Sequence, residues 1–249
     1  MIDADALARH CDALLDAERI SDYCPNGLQV EGERPVRRLV SGVTASRALI
    51  EAAIAVQADA LLVHHGWFWK GEDPCLVGIK GYRARLLMRA GIALLAYHLP
   101  LDLHPELGNN RQLGRLLDID AAAPAAADGL VWLGRLSRPV AASALARDVG
   151  RRLGREPLHI AVIDRPVERV AWCTGAAQRY ITDAQALGAD LFISGEVSEQ
   201  TVHEARELGI DYLAAGHHAT ERLGVQALGA HLADRFGLDH RFIDVDNPA

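Results

Sequence analysis

Two pairs of segments, each 131 residues apart, read as copies of one another. "PVRRLVSGVT" (35–44) aligns with "PVERVAWCTG" (166–175), and "ADALLVHHG" (58–66) with "ADLFISGEV" (189–197), since 166 − 35 and 189 − 58 both give 131. Further on, "RAGIALLAYHLPLD" (89–102) aligns with "ELGIDYLAAGHHATE" (207–221) at the shorter offset 209 − 91 = 118, because the second copy lacks most of "WFWKGEDPCLVGIKGY" (67–82). A period this long marks a duplicated domain rather than a solenoid. Whatever one copy folds into, the other is held to the same plan.

Within each copy, short apolar runs alternate with helical patterns, the signature of α/β architecture. Strand candidates are 37–43, 58–64, 92–98, 130–136, 158–163, 169–174, 189–194 and 210–216. Several are apolar almost throughout, as strands covered on both faces are. Helical patterns fill 46–57, 143–154 and 199–209, the last closing on a glycine stop. The alanine-rich stretch "DAAAPAAADG" (120–129) reads as a linker, which puts a boundary near residue 124. The expected fold is therefore α/β: two similar, interlocked units, 1–124 and 125–249, with mixed sheets flanked by helices.

A chain of 249 residues can bury a sizeable core, and its formal net charge of −7 argues against general binding of nucleic acid or anionic membranes. One local exception is "RDVGRRLGR" (147–155), whose plainer reading is a solvated helix face. The first twenty residues carry acidic groups throughout and suit an amphipathic helix rather than a secretory signal, and no run is long enough to span a membrane. Cys11, Cys24, Cys75 and Cys173 form no C-x-x-C pair and read as reduced thiols, so the expected compartment is the cytoplasm.

In open α/β sheets, ligand sites form beyond the carboxyl ends of strands. Three histidine clusters stand there: His64 and His65 in "VHHG", His98 in "YHLPLD" with Asp102 four residues on, and His217 and His218 in "GHHATE" with Glu221 following. A lone histidine at a strand end is commonly a hydrogen-bonded core or loop residue. Three clusters at equivalent ends, with two carboxylates among them, favour metal, and imidazole with carboxylate suits zinc, iron, manganese or nickel. Because a carboxylate can bridge two ions, the composition is that of a dinuclear centre of two divalent metal ions. Adjacent strand residues point to opposite faces, so His64 and His65 are expected to converge only where the strand has given way to a loop, with Gly66 permitting the departure.

The segments "DYCPNGLQVEG" (22–32), "LLVHHGWFWKGE" (61–72), "YHLPLDLHPELGNN" (97–110), "ISGEVSEQ" (193–200) and "AAGHHATE" (214–221) resemble, in order, the signature segments of the Nif-three-like family. These are dinuclear-metal-centre hexameric proteins, also named GTP cyclohydrolase I type 2 homologues. The resemblance implies metal ligands at His64, His65, Asp102, His217 and Glu221, a centre that draws on both repeats, and a homohexameric ring. It implies a metal-dependent hydrolase acting on a purine nucleotide through hydroxide held by the metals, with His98 or Glu196 as proton carrier. A metal-binding or metal-delivery protein without turnover of its own is the alternative, and the same ligands would serve it. Trp67, Phe68 and Trp69 could stack on a base or pack an interface, and "PNGLQVEG" reads as a tight loop near the first strand.

Overall fold

A computed structural model of the chain describes residues 1–249, the side chain of Ala121 excepted. It divides into two compact units, one of Met1–Leu107 with Gly224–Asp246 and one of Gly108–Leu223 with Asn247–Ala249.

The first unit opens with α1 (Ala4–Leu15), capped by the Asp3 side chain, and continues through β1 (Gly27–Val30), β2 (Arg38–Thr44), α2 (Arg47–Ala55), β3 (Ala60–His65), α3 (Gly78–Arg89), β4 (Ala93–Ala96) and the short α4 (Leu99–Leu103). Ser46 starts α2 by accepting from the Leu49 amide, as the serine at its head predicts. The second unit comprises α5 (Asn109–Leu116), β5 (Asp120–Ala126), β6 (Val131–Val140), α6 (Ala142–Leu153), β7 (Leu158–Ile160), β8 (Val167–Cys173), α7 (Ile181–Ala186), β9 (Leu191–Ser194), α8 (Glu199–Leu208) and β10 (Asp211–Ala214). Then comes α9 (His217–Phe236), whose residues as far as Leu223 belong to the second unit. The remainder of α9 and β11 (Asp239–Phe242) belong to the first.

The first sheet has the order β1-β4-β3-β2-β11 and the second β5-β6-β8-β9-β10-β7. In the first, β4, β3, β2 and β11 run parallel and β1 is antiparallel to β4. In the second, β8, β9 and β10 run parallel and β7 is antiparallel to β10. The offsets read from sequence return in the register. Leu39 faces Ala60 as Val170 faces Leu191, Ala60 faces Ala93 as Leu191 faces Asp211, and Gly27 faces Ala96 as Leu158 faces Ala214. Four strands in each sheet are thus one design used twice, the two mixed sheets flanked by helices that the sequence called for.

The copies even share a device at their strand starts. In the first, Asp59 accepts the amides of Arg37 and Arg38; in the second, Asp190 accepts those of Glu168 and Arg169, again 131 residues on (190 − 59). Each sheet is covered on both faces. Leu7, Cys11, Leu39, Leu62, Leu95 and Leu228 pack on one side of the first sheet's core strands and Leu49, Ile50, Leu61, Val63 and Leu94 on the other.

The boundary expected near residue 124 is not where the units part. "DAAAPAAADG" contains β5, which pairs antiparallel with β6, Pro124 standing opposite Trp132. β5 is the edge of its sheet and its register shifts between Pro124 and Ala126, two settings in which a strand accommodates a residue without an N–H. Nor is 125–249 a single unit, since β11 pairs with β2 and Val225, Leu228 and Leu232 lie in the first unit's core. Among the described residues, no helix is long and apolar enough to cross a membrane.

Candidate metal centre

In the first unit the candidate ligands gather at the carboxyl ends of β3 and β4. His64 is fully buried and donates from Nδ1 to the carbonyl of Tyr97 (2.9 Å), while the Nδ1 of His65 meets Thr44 Oγ1 at 3.1 Å. The two rings lie 4.7 Å apart although both residues are still within β3, so no loop is needed to bring them together. They converge because each is tethered to a different neighbour, His64 to the chain leaving β4 and His65 to β2. Gly66 matters for another reason: a Cβ there would lie 2.3 Å from Gln29 Oε1, the atom that accepts the Trp67 amide and fixes the turn after the histidines.

His98 stands between β4 and α4, and one imidazole nitrogen from each of His64, His65 and His98 falls in a group spanning no more than 4.8 Å. Asp22 and Asn26 hold it. The ring donates from Nδ1 to Asp22 Oδ1 (2.7 Å), the His98 amide to Asn26 Oδ1, and the Leu99 amide to Asp22 Oδ2. The "DYCPNG" loop thus sets the third imidazole, and "QVEG" fixes the turn after the first two. Asp102, one turn into α4 and buried, brings its carboxylate to 3.6 Å from His64 Nε2. Trp69 meets His98 edge to face at 5.0 Å and lies 5.9 Å from His65. Trp67 by contrast is buried, its Nε1 donating to the Ala45 carbonyl.

In the second unit, His217 and Glu221 occupy the first turns of α9, four residues apart and so on one face. His217 Nε2 lies 3.0 Å from Glu221 Oε2, and its Nδ1 donates to Glu196 Oε1 at 2.7 Å. Gly175 makes room for the pair: it has φ +70°, and a Cβ there would lie 2.1 Å from Glu221 Oε1. Gly195 does the same for the backbone, where a Cβ would fall 2.6 Å from the His217 Cα.

The donor set fits divalent cations. In His64, His98 and His217, Nδ1 is hydrogen-bonded to a pure acceptor, which keeps the proton on that nitrogen and makes Nε2 the ligating one, the arrangement typical of metal-bound histidine. In both units an Nε2 then meets a buried carboxylate, Asp102 or Glu221. Electrostatics agree. Burial by itself would lower the His217 pKa, but Glu221 and Glu196 outweigh it and push the pKa up to about 9, so this spot favours positive charge. Burial would raise the Asp22 carboxyl, yet bonds from His98, Asn26 and the Tyr23 amide hold it below its usual range.

The model of the family described as Duf34/NIF3 (NGG1p interacting factor 3) matches residues 2–248. The chain belongs to the Duf34/NIF3 family. A relative from Allochromatium vinosum named GTP cyclohydrolase 1 type 2 homolog is 65% identical over 250 residues, covering 100% of this chain and 98% of its own. One of the same name from Pseudomonas aeruginosa is 57% identical, covering 98% and 97%. A solved structure titled "protein ybgI, unknown function" superposes with a TM-score of 0.96 at 49% identity, over 100% of both chains.

For this Duf34/NIF3 chain, the sequence-derived candidates are His64, His65, His98 and Asp102 from the first unit and Glu196, His217 and Glu221 from the second. Sequence reasoning alone does not single out Asp22, Asn26 or Gly175. Asp22 and Asn26 lie in a quoted signature segment, and only their side-chain bonds reveal that they serve His98. Gly175 could be found from its place in the repeat, since it corresponds to Thr44, the partner of His65 (175 − 44 = 131).

Proposed function

We propose that the protein is a metal-dependent hydrolase whose dinuclear centre is held by His64, His65, Asp102, His217 and Glu221, drawing on both repeats, and that its substrate is a purine nucleotide. The observation that carries the reading is that imidazoles anchored at Nδ1 aim Nε2 at buried carboxylates in each unit. The nucleotide rests on the name borne by the relatives. Divalent cations bound there would acidify water toward neutrality and polarise an electrophilic carbon. His98, backed by the Asp22 carboxylate, is placed to carry a proton between substrate and solvent. Glu196, the other proton carrier expected from sequence, is engaged with His217 Nδ1, so its part is to orient that ring. We also propose a cytoplasmic homohexamer, following the family resemblance.

The test is a metal-loaded preparation incubated with GTP and a panel of purine nucleotides. Formate release from GTP, lost in Glu221→Ala together with bound metal, supports the assignment. Absence of turnover with every nucleotide, alongside exchange of metal with an acceptor protein, would instead favour a metal-delivery role, which the same ligands would serve.

A further inference from the structure

The second unit carries a groove that the hydrolase reading has not used. Two adjoining cavities, of about 570 and 770 Å³, share Arg155, Glu156, Pro157 and His159. The first runs along one face of α6 past Ser143, Arg147, Gly150 and Arg151; the second reaches Gly195 and Glu196. The groove therefore leads from the carboxylate that holds His217 to the arginines of the "RDVGRRLGR" segment.

Internal symmetry sharpens its meaning. Pro157 and Leu158 stand where Asn26 and Gly27 stand in the first copy, and Gly216 stands where His98 stands (157 − 26 = 131 and 216 − 98 = 118). In the first unit that loop closes on His98 through Asp22 and Asn26. In the second the imidazole is replaced by glycine, and Arg155 lies against it: a Cβ at Gly216 would come within 2.7 Å of the Arg155 side chain. One copy thus presents an imidazole at this strand end and the other a guanidinium.

Arg155 donates from Nε and Nη2 to the Pro248 carbonyl, which orients the group while leaving part of its five-donor fork for another acceptor. Arg151 pairs with Asp148, and Arg147 makes no ion pair among the described residues. Among the described residues, Glu156 and Glu196 are the acidic side chains that line the groove. Guanidinium groups spaced along one wall, in a chain of net charge −7, select a multiply charged phosphate tail over a neutral ligand.

We infer that the groove between α6 and β7 is the phosphate subsite, with Arg155 nearest the reacting end of a nucleoside polyphosphate and Arg151 and Arg147 farther along its tail. This rests on the hydrolase reading for the direction of the substrate, but the anion site itself is testable without turnover. Inorganic tripolyphosphate binding would be measured calorimetrically on the metal-loaded protein and again after chelation. The comparison is between the unaltered chain, Arg147→Ala/Arg151→Ala, and the control Arg9→Ala/Arg19→Ala, whose arginines lie on the first unit's surface.

The groove variant should bind tripolyphosphate about tenfold more weakly, in both states and at unchanged metal content, with the control unaffected. KM for GTP should rise by a similar factor with kcat retained. Equal binding by the groove variant and the unaltered chain, or equal loss in the control, would overturn the inference. If tripolyphosphate binding falls as expected while no nucleotide is turned over, the anion site stands and the hydrolase reading fails. If GTP is hydrolysed with KM unmoved by the variant, the hydrolase stands and the subsite fails.

Discussion

Gly175 and Glu196 act on His217 and Glu221 in opposite ways, one by lacking a side chain and one by lending a charge. Gly175→Ala would force a methyl to within 2.1 Å of Glu221 Oε1 at a backbone φ of +70°. Both steric and backbone costs fall on the same spot. Its metal affinity should drop at least tenfold and its melting temperature should fall, checked by chelator competition and thermal unfolding; an alanine variant with unaltered affinity would contradict this placement of Glu221. Glu196→Gln keeps an acceptor near His217 Nδ1 but removes the charge, and metal affinity should weaken roughly 10- to 100-fold, as outer-shell carboxylates generally show. Little change on that substitution would leave Glu196 with no orienting part. His64, His65 and His98 were legible as a group from their places at strand ends. Their partners, Tyr97 O, Thr44 and Asp22, were not, because a hydrogen bond to a carbonyl or across 76 residues leaves no spacing in the chain.

At the level of strands and helices, the eight strands expected from apolar runs all form, as do the four expected helices with the Ser46, Ser198, Gly154 and Gly209 ends that stop and start them. β1, β5 and β11 went unread. Each is an edge strand; β1 and β11 are only partly covered and show neither an unbroken apolar run nor clean alternation, while β5 is a run of alanines around Pro124, the composition of a linker. α9 also escaped, because its first turns bury His218, Thr220 and Glu221, and polar residues on a buried face erase the apolar stripe.

The paired aspartates Asp59 and Asp190 make a pH prediction at this scale. Burial would raise each carboxyl, but backbone amides and a neighbouring arginine prevail and hold it below its usual value. A carboxyl depressed in the folded state binds protons more readily when unfolded. Its stabilisation is therefore complete above the unfolded pKa, near 4, and disappears as pH falls through the folded value. Asp190→Asn should lose about 1.5–3 kcal/mol at pH 7, the range for bonds to a charged group. The gap to the unaltered protein should shrink below pH 4 in denaturant titrations; a gap constant with pH would mean the charge contributes nothing.

Taken as a whole molecule, the first unit is assembled from chain segments more than a hundred residues apart. Leu232 lies fully buried in the core with Leu7, Leu62 and Leu95. Leu232→Ala should cost about 2–5 kcal/mol, with amide exchange quickening in β2 and β3; protection lost solely in the second unit would contradict the division. Metal should also stabilise the folded chain, by about 2.7 kcal/mol when the free ion stands at a hundredfold its dissociation constant. Chelation should therefore lower the melting temperature, and by less in Glu221→Ala.

The sequence alone determined the α/β class, the duplication with its two offsets, and which residue types collect at strand ends. Each is a local or periodic property, written in apolar spacing, glycine stops and the recurrence of one pattern. Tertiary structure alone decided that the final residues return to the first sheet, that Pro124 sits in a strand, and which oxygen holds each imidazole. Those depend on edge pairing and on bonds between segments distant in the chain, where the energy comes from partners that no neighbouring residue records.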